Sequence, residues 1–225
     1  MAFLNEYTGE LNLKVLYVGS AGCGKTTNLR SAYKQTSTEI SSRLFDLHGL
    51  EESDGVFDFL PLSLGDVSRG GESSRGGAHS QPLRVHLYTL PSHDCLATLN
   101  QTLFMGVDGI VFIVDSRSLA LPENERQWER VNQWLLQQGR RLEDVPLVSQ
   151  FNHRDASDAL PIRALKARFQ RAQSSGVEAV AVQDVGVLET IDAITDAILA
   201  SMEGVGSRRM PGTFAETRPH ERPLP

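Results

Sequence analysis

Apolar residues in this chain fall into short unbroken runs that alternate with stretches of helical spacing. Strand-type runs lie at 12–18, 56–62, 83–89, 109–114, 145–151 and 177–182, and helix-type stretches at 25–35, 94–105, 122–138, 160–172 and 187–202. Gly109-Ile110-Val111-Phe112-Ile113-Val114-Asp115 is apolar without alternation, as a strand covered on both faces must be. In 122–138, Pro122 suits the first helical turn, and Trp128, Val131, Trp134, Leu135 and Leu136 recur at helical spacing. Both tryptophans therefore read as packing anchors. The alternation predicts an α/β fold, a mostly parallel six-stranded sheet flanked by about five helices.

Two segments break the pattern. Residues 65–82 are dominated by Gly, Ser and Arg and predict a long flexible loop between two strands that pair as a hairpin. Residues 204–225 hold four prolines and four arginines with almost no apolar residues, which predicts a disordered C-terminal tail. The expected organisation is one domain over 1–203, carrying the 65–82 insertion, followed by that tail.

Between the first strand and the first helix stands Gly19-Ser20-Ala21-Gly22-Cys23-Gly24-Lys25-Thr26, which fits G-x-x-x-x-G-K-[ST]. This P-loop pattern carries meaning only between a strand and a helix, and here it has both. Backbone N–H groups of such a loop form a concavity for anions, and the helix N-terminus adds its dipole. Gly19 to Thr26, together with Thr27, are the expected phosphate contacts. Lys25 is expected to reach the β- and γ-phosphates and to assist their transfer, and the Thr26 hydroxyl to ligate Mg²⁺.

A P-loop does not choose a base. Strand 145–151 runs into Asn152-His153-Arg154-Asp155, which matches the guanine motif N-K-x-D except that His153 replaces the lysine. The aspartate of that motif accepts hydrogen bonds from guanine N1–H and the exocyclic amino group, which adenine cannot supply. An imidazole can still lie on a purine face. Ala181, at the end of the last strand, is the candidate for a backbone N–H contact to guanine O6. These positions turn the expectation from any nucleoside triphosphate to GTP/GDP. A generic P-loop ATPase is the reading that Asp155 opposes.

Composition narrows the rest. A formal net charge of −6 gives no sign of a nucleic-acid partner, and no apolar run approaches the ~20 residues that span a bilayer. The polar N-terminus, which carries Glu6 and Glu10, is not expected to be a signal peptide. The two cysteines, Cys23 and Cys95, lack metal-ligand spacing, so a reduced, cytosolic compartment is expected.

On Cys23-Gly24-Lys25-Thr26-Thr27-Asn28-Leu29, Phe57-Asp58-Phe59-Leu60-Pro61-Leu62-Ser63-Leu64-Gly65, His86-Leu87-Tyr88-Thr89 and Gly106-Val107-Asp108-Gly109, the chain resembles the Ras-like small GTPases of the bacterial MglA (gliding motility) family. The resemblance covers about residues 1–203. It implies GTP/GDP switching, control of cell polarity or motility together with other proteins of those processes, and a roadblock-type GTPase-activating partner.

The resemblance also shows where this chain departs. The family reads Pro-Gly-Gln after the third strand, and this chain has Pro91-Ser92-His93. The Ser92 N–H retains a γ-phosphate contact, and His93 stands where the family's glutamine orients the attacking water. The family's arginine finger and Mg²⁺-ligating threonine align with Ser53 and Asp54, which leaves Asp54 as a candidate Mg²⁺ ligand. Ala21 replaces a common P-loop glycine. Thr89 agrees with the family. Two functions therefore stand: a slow or partner-dependent GTPase switch, and a non-hydrolysing nucleotide-binding scaffold.

Overall fold

In the computed structural model the described residues are 3–5, 9–36, 45–46, 58–68, 80–90, 102–172 and 174–206. Ser53, Asp54, Ser92, His93, Cys95, most of the helix expected at 94–105, the middle of the 65–82 insertion and the tail beyond 206 lie outside them.

The strands are β1 (Phe3–Asn5), β2 (Glu10–Gly19), β3 (Phe45–Asp46), β4 (Asp58–Ser68), β5 (Ser80–Thr89), β6 (Gly109–Asp115), β7 (Leu147–Asn152) and β8 (Gly176–Glu178). The helices are α1 (Lys25–Thr36), α2 (Leu121–Gln137), α3 (Ile162–Phe169) and α4 (Val187–Gly206). One sheet runs β3-β4-β5-β2-β6-β7-β8, with β1 paired to β2. Strands β5, β2, β6, β7 and β8 are parallel, and β4 joins the edge antiparallel to β5. All six expected strands are present, joined by the short β1 and β3.

Side-chain alternation along the strands feeds two cores. Leu13, Val15 and Tyr17 of β2, with Val111, Ile113 and Val148, face α1 and α4. Leu16 and Val18, with Ile110, Phe112, Val114 and Phe151, face α2 and α3. In α4, Val187, Ile191, Ile194 and Ile198 recur every three to four residues and form the buried stripe. Ile198 lies against Gly109, where an added Cβ would stand 2.6 Å from its Cδ1. Buried Phe112 meets Trp128 edge-on at 4.8 Å, and Phe104 meets Trp134 at 5.1 Å. Both tryptophans are thus packing anchors, as their spacing suggested, whereas Leu136 points to solvent.

Three expectations are corrected. Residues 65–68 and 80–82 are not loop: Asp66 pairs with Pro82, Val67 with Gln81 and Ser68 with Ser80, after a register shift between Ser63 and Asp66. Gly65, at φ 77°, supplies the left-handed residue at that irregularity, so ladder pairing resumes despite a loop-like composition. The strand expected at 177–182 stops at Glu178, because Val180 turns back to bond Val185 at 3.1 Å and 3.3 Å through a bend with Asp184 at φ 62° and Gly186 at φ 75°. The last helix continues to Gly206, into the segment expected as tail.

The Tyr17 hydroxyl is fully buried with no hydrogen-bond partner among the described residues, and burial drives its pKa upward. Tyr17→Phe removes that desolvated group and keeps the ring. Thermal melting is expected to show a gain of about 1 kcal/mol; a fall in Tm would mean the hydroxyl is paired.

Candidate functional site

From β2 the chain crosses to β5 on one side and later to β6 on the other, so the sheet order reverses at β2. In open α/β sheets ligands bind beyond the strand C-termini at such a reversal. Here those ends are Gly19, Thr89, Asp115, Asn152 and Glu178. Among the described residues, Gly19 to Thr27, Asn152 to Asp155 and Ala181 lie at or just beyond these strand ends.

The loop after β2 fits the strand end closely. A Cβ on Gly19 would lie 2.5 Å from the Ile113 carbonyl oxygen, and one on Gly24 would collide with the Asn152 carboxamide. Gly22, at φ 70°, faces open space. Ala21 and Gly22 are exposed, while Ser20 and Cys23 are buried. Burial pushes the Cys23 thiol pKa up, against the opposing pull of Lys25, so Cys23 is a packing residue and not a nucleophile. Helix α1 starts at Lys25, which directs its first, intrahelically unpaired N–H groups at the loop. Lys25 Nζ donates to the carbonyls of Gly19 (3.0 Å) and Ser20 (2.9 Å), which holds the ammonium over the loop. Thr27 follows, half-buried in the first turn.

Across from this loop, Asn152 at the end of β7 is buried and spans two elements. Its Nδ2 donates to the Cys23 carbonyl (2.8 Å), and its Oδ1 accepts from the Ala181 N–H (3.0 Å). A single carboxamide therefore ties the loop after β2 to the corner after β8. Asp155 lies exposed three residues on. His153 takes φ 58° and faces inward, with Nδ1 3.1 Å from Asp115 Oδ1.

Four residues not identified as site residues from the sequence, Asp58, Asp115, Arg117 and Asn124, complete the geometry. Asp58, buried at the start of β4, accepts from Thr26 Oγ1 (2.6 Å) and from Thr89 Oγ1 (3.0 Å). Its signal was a carboxylate inside an otherwise apolar strand. Asp115 ends β6 and receives Arg117 Nε (3.0 Å to Oδ1) and Nη2 (2.5 Å to Oδ2). Burial raises the Asp115 pKa, but the bonds from His153 and Arg117 outweigh it and hold the carboxyl well below the usual carboxylate range. The backbone of Asp115 is fixed by buried Asn124 of α2, whose Nδ2 donates to the Asp115 carbonyl (2.8 Å) and whose Oδ1 accepts from the Asp115 N–H (3.2 Å) and the Ser20 hydroxyl (3.4 Å). No sequence periodicity marks this link.

The donor set suits Mg²⁺. Thr26 spends its hydroxyl proton on Asp58, which leaves the oxygen lone pairs for a cation, and the carboxylate supplies negative charge beside it. No cluster of three or more His, Cys, Asp or Glu occurs among the described residues. No helix among the described residues is long and apolar enough to cross a membrane.

No protein-family model matches the chain. Over 206 residues it is 33% identical to the mutual gliding-motility protein MglA of Myxococcus xanthus (strain DK1622), a match that takes in 92% of this chain and 100% of that protein.

Proposed function

Because the chain belongs to the MglA family of small GTPases, we propose that it is a guanine-nucleotide switch acting in cell polarity or gliding motility, with slow or partner-dependent GTP hydrolysis. The observation that supports the nucleotide reading is the Asn152 bridge from Cys23 to Ala181, which joins the loop after β2 to the corner after β8, with Asp155 three residues further along the chain. In this reading the Gly19–Thr26 backbone and Thr27 hold the phosphates, Lys25 neutralises the β- and γ-oxygens, and Asp155 reads the guanine edge, with Asn152, His153 and Ala181 around it. Mg²⁺, when bound, supplies charge neutralisation at the phosphates, and Thr26, oriented by Asp58, is the residue that holds it.

Slow turnover follows from the departures at Ala21, Ser53, Ser92 and His93. Losing a built-in arginine costs ~10³-fold or more in rate. A roadblock-type activating protein is the partner expected to restore it, with His93 positioning water, Ser92 contacting the γ-phosphate and Asp54 available to the metal ion.

Competition binding and single-turnover hydrolysis test this. Wild-type protein is expected to prefer GTP over ATP, and Asp155→Asn to lose GTP affinity at least tenfold while gaining xanthosine triphosphate. Unchanged GTP preference in that variant would sink the guanine assignment. Hydrolysis is expected to be slow alone and stimulated by the partner. Bound GTP that stays intact with every partner supports a non-hydrolysing scaffold instead.

A further inference from the structure

The 152–155 turn directs no long cation at the nucleotide site. His153 is turned onto Asp115, and Arg154 is committed to Glu178 (3.2 Å) and to the Leu160 carbonyl (2.8 Å). Besides Lys25, a cation reaches the loop from the segment that follows β6. Arg117 Nη2 lies 3.4 Å from the Gly22 carbonyl oxygen while its fork grips Asp115.

We propose that Arg117 forms one wall of the nucleotide pocket, with its guanidinium plane along the ribose and purine of a bound guanine nucleotide and with Asp115 and His153 as its support. The inference rests on the nucleotide reading above. A nucleotide whose phosphates lie on Gly19–Thr26 and whose base edge meets Asp155 must cross the interval between Gly22 and the 152–155 turn. Arg117 spans that interval: it touches Gly22 directly and shares Asp115 with His153.

The side chain is also fixed in advance. Ser116 N–H donates to the Asn152 carbonyl at 3.0 Å, and Arg117 forms a backbone bridge with Ala159, so the segment is seated on the base-side turn. The two-point grip on a buried carboxylate sets the plane of the guanidinium, yet 45% of the side chain remains exposed. A planar, weakly hydrated cation of this kind stacks on aromatic faces, which an ammonium does less well. The bland alternative is that Arg117 only neutralises Asp115.

The test uses the full chain, a fluorescent GDP and inorganic triphosphate, which has neither ribose nor base. Arg117→Ala is expected to speed GDP release roughly tenfold, with Arg117→Lys intermediate. Inorganic triphosphate should compete within twofold of its wild-type strength, because the phosphate loop is intact. The double variant Arg117→Ala/His153→Lys, which places an ammonium on the turn beside the same interval, should recover part of the loss. Unchanged GDP release in Arg117→Ala overturns the proposal. So does an equal loss for triphosphate, which would assign Arg117 to the integrity of the loop. Wild-type protein that holds no guanine nucleotide overturns the nucleotide reading and this proposal with it.

Discussion

Lys25→Ala is expected to weaken GTP and GDP binding by roughly 100-fold or more. Charge-assisted hydrogen bonds contribute about 1.5–3 kcal/mol each, and each 1.4 kcal/mol is a factor of ten. The ammonium already rests on the carbonyls of Gly19 and Ser20, so little ordering cost remains when phosphates arrive. Truncation takes away both the charge and that preorganisation. Lys25 is only half-buried, so the nucleotide-free protein should melt within a few degrees of wild type. Titration with fluorescent GDP, with melting curves taken beside it, separates the two effects. Wild-type affinity in this variant would move the phosphate site away from the loop.

The second large effect is expected at Asp58. Asp58→Asn keeps the size of the side chain and its capacity to bond Thr89, but removes the charge next to Thr26. Groups that orient a metal ligand typically contribute 10–100-fold to metal affinity. The Mg²⁺ concentration that half-protects bound GDP from release should therefore rise by about that factor. Release in EDTA should be nearly the same in the two proteins, because the phosphate contacts remain. Thr89→Ala takes one donor from the same carboxylate and should move the Mg²⁺ midpoint less. A lowered Tm with an unchanged Mg²⁺ midpoint would show that Asp58 only secures β4 to β5 and α1.

The frame and half of the candidate site could be read in the sequence because local chemistry encodes them. The glycines and Lys25 of the loop, and the fixed interval from Asn152 to Asp155, are linear patterns, and the unbroken run at 109–115 announces a central strand. The remaining residues act across the sheet. Asp58 matters because β4 lies beside β5 in a register that sets it opposite Thr89, facing Thr26, which is 32 residues away in the chain. Arg117 reaches Gly22, 95 residues earlier in the chain, because β6 ends beside the loop after β2. Neither distance leaves a periodic trace. The β4–β5 ladder beyond Gly65 was hidden for another reason: Gly, Ser and Arg have weak strand preference, and pairing with an existing edge decides their conformation.

Strand β7 places two amides on one face. Gln150 donates to Asn28 of α1 (2.8 Å) and to Thr190 of α4 (2.9 Å), and Asn152 joins Cys23 to Ala181. The loop after β2 with α1, and the Ala181 corner with α4, are thus riveted to the same strand at two levels. Neither end can open by itself without leaving buried amide groups unpaired. Transient opening of the empty protein should then involve the loop, α1, the Ala181 corner and the start of α4 as one cooperative unit. Their backbone amides would exchange with solvent at a common free energy, and a nucleotide that touches either end would slow exchange at both.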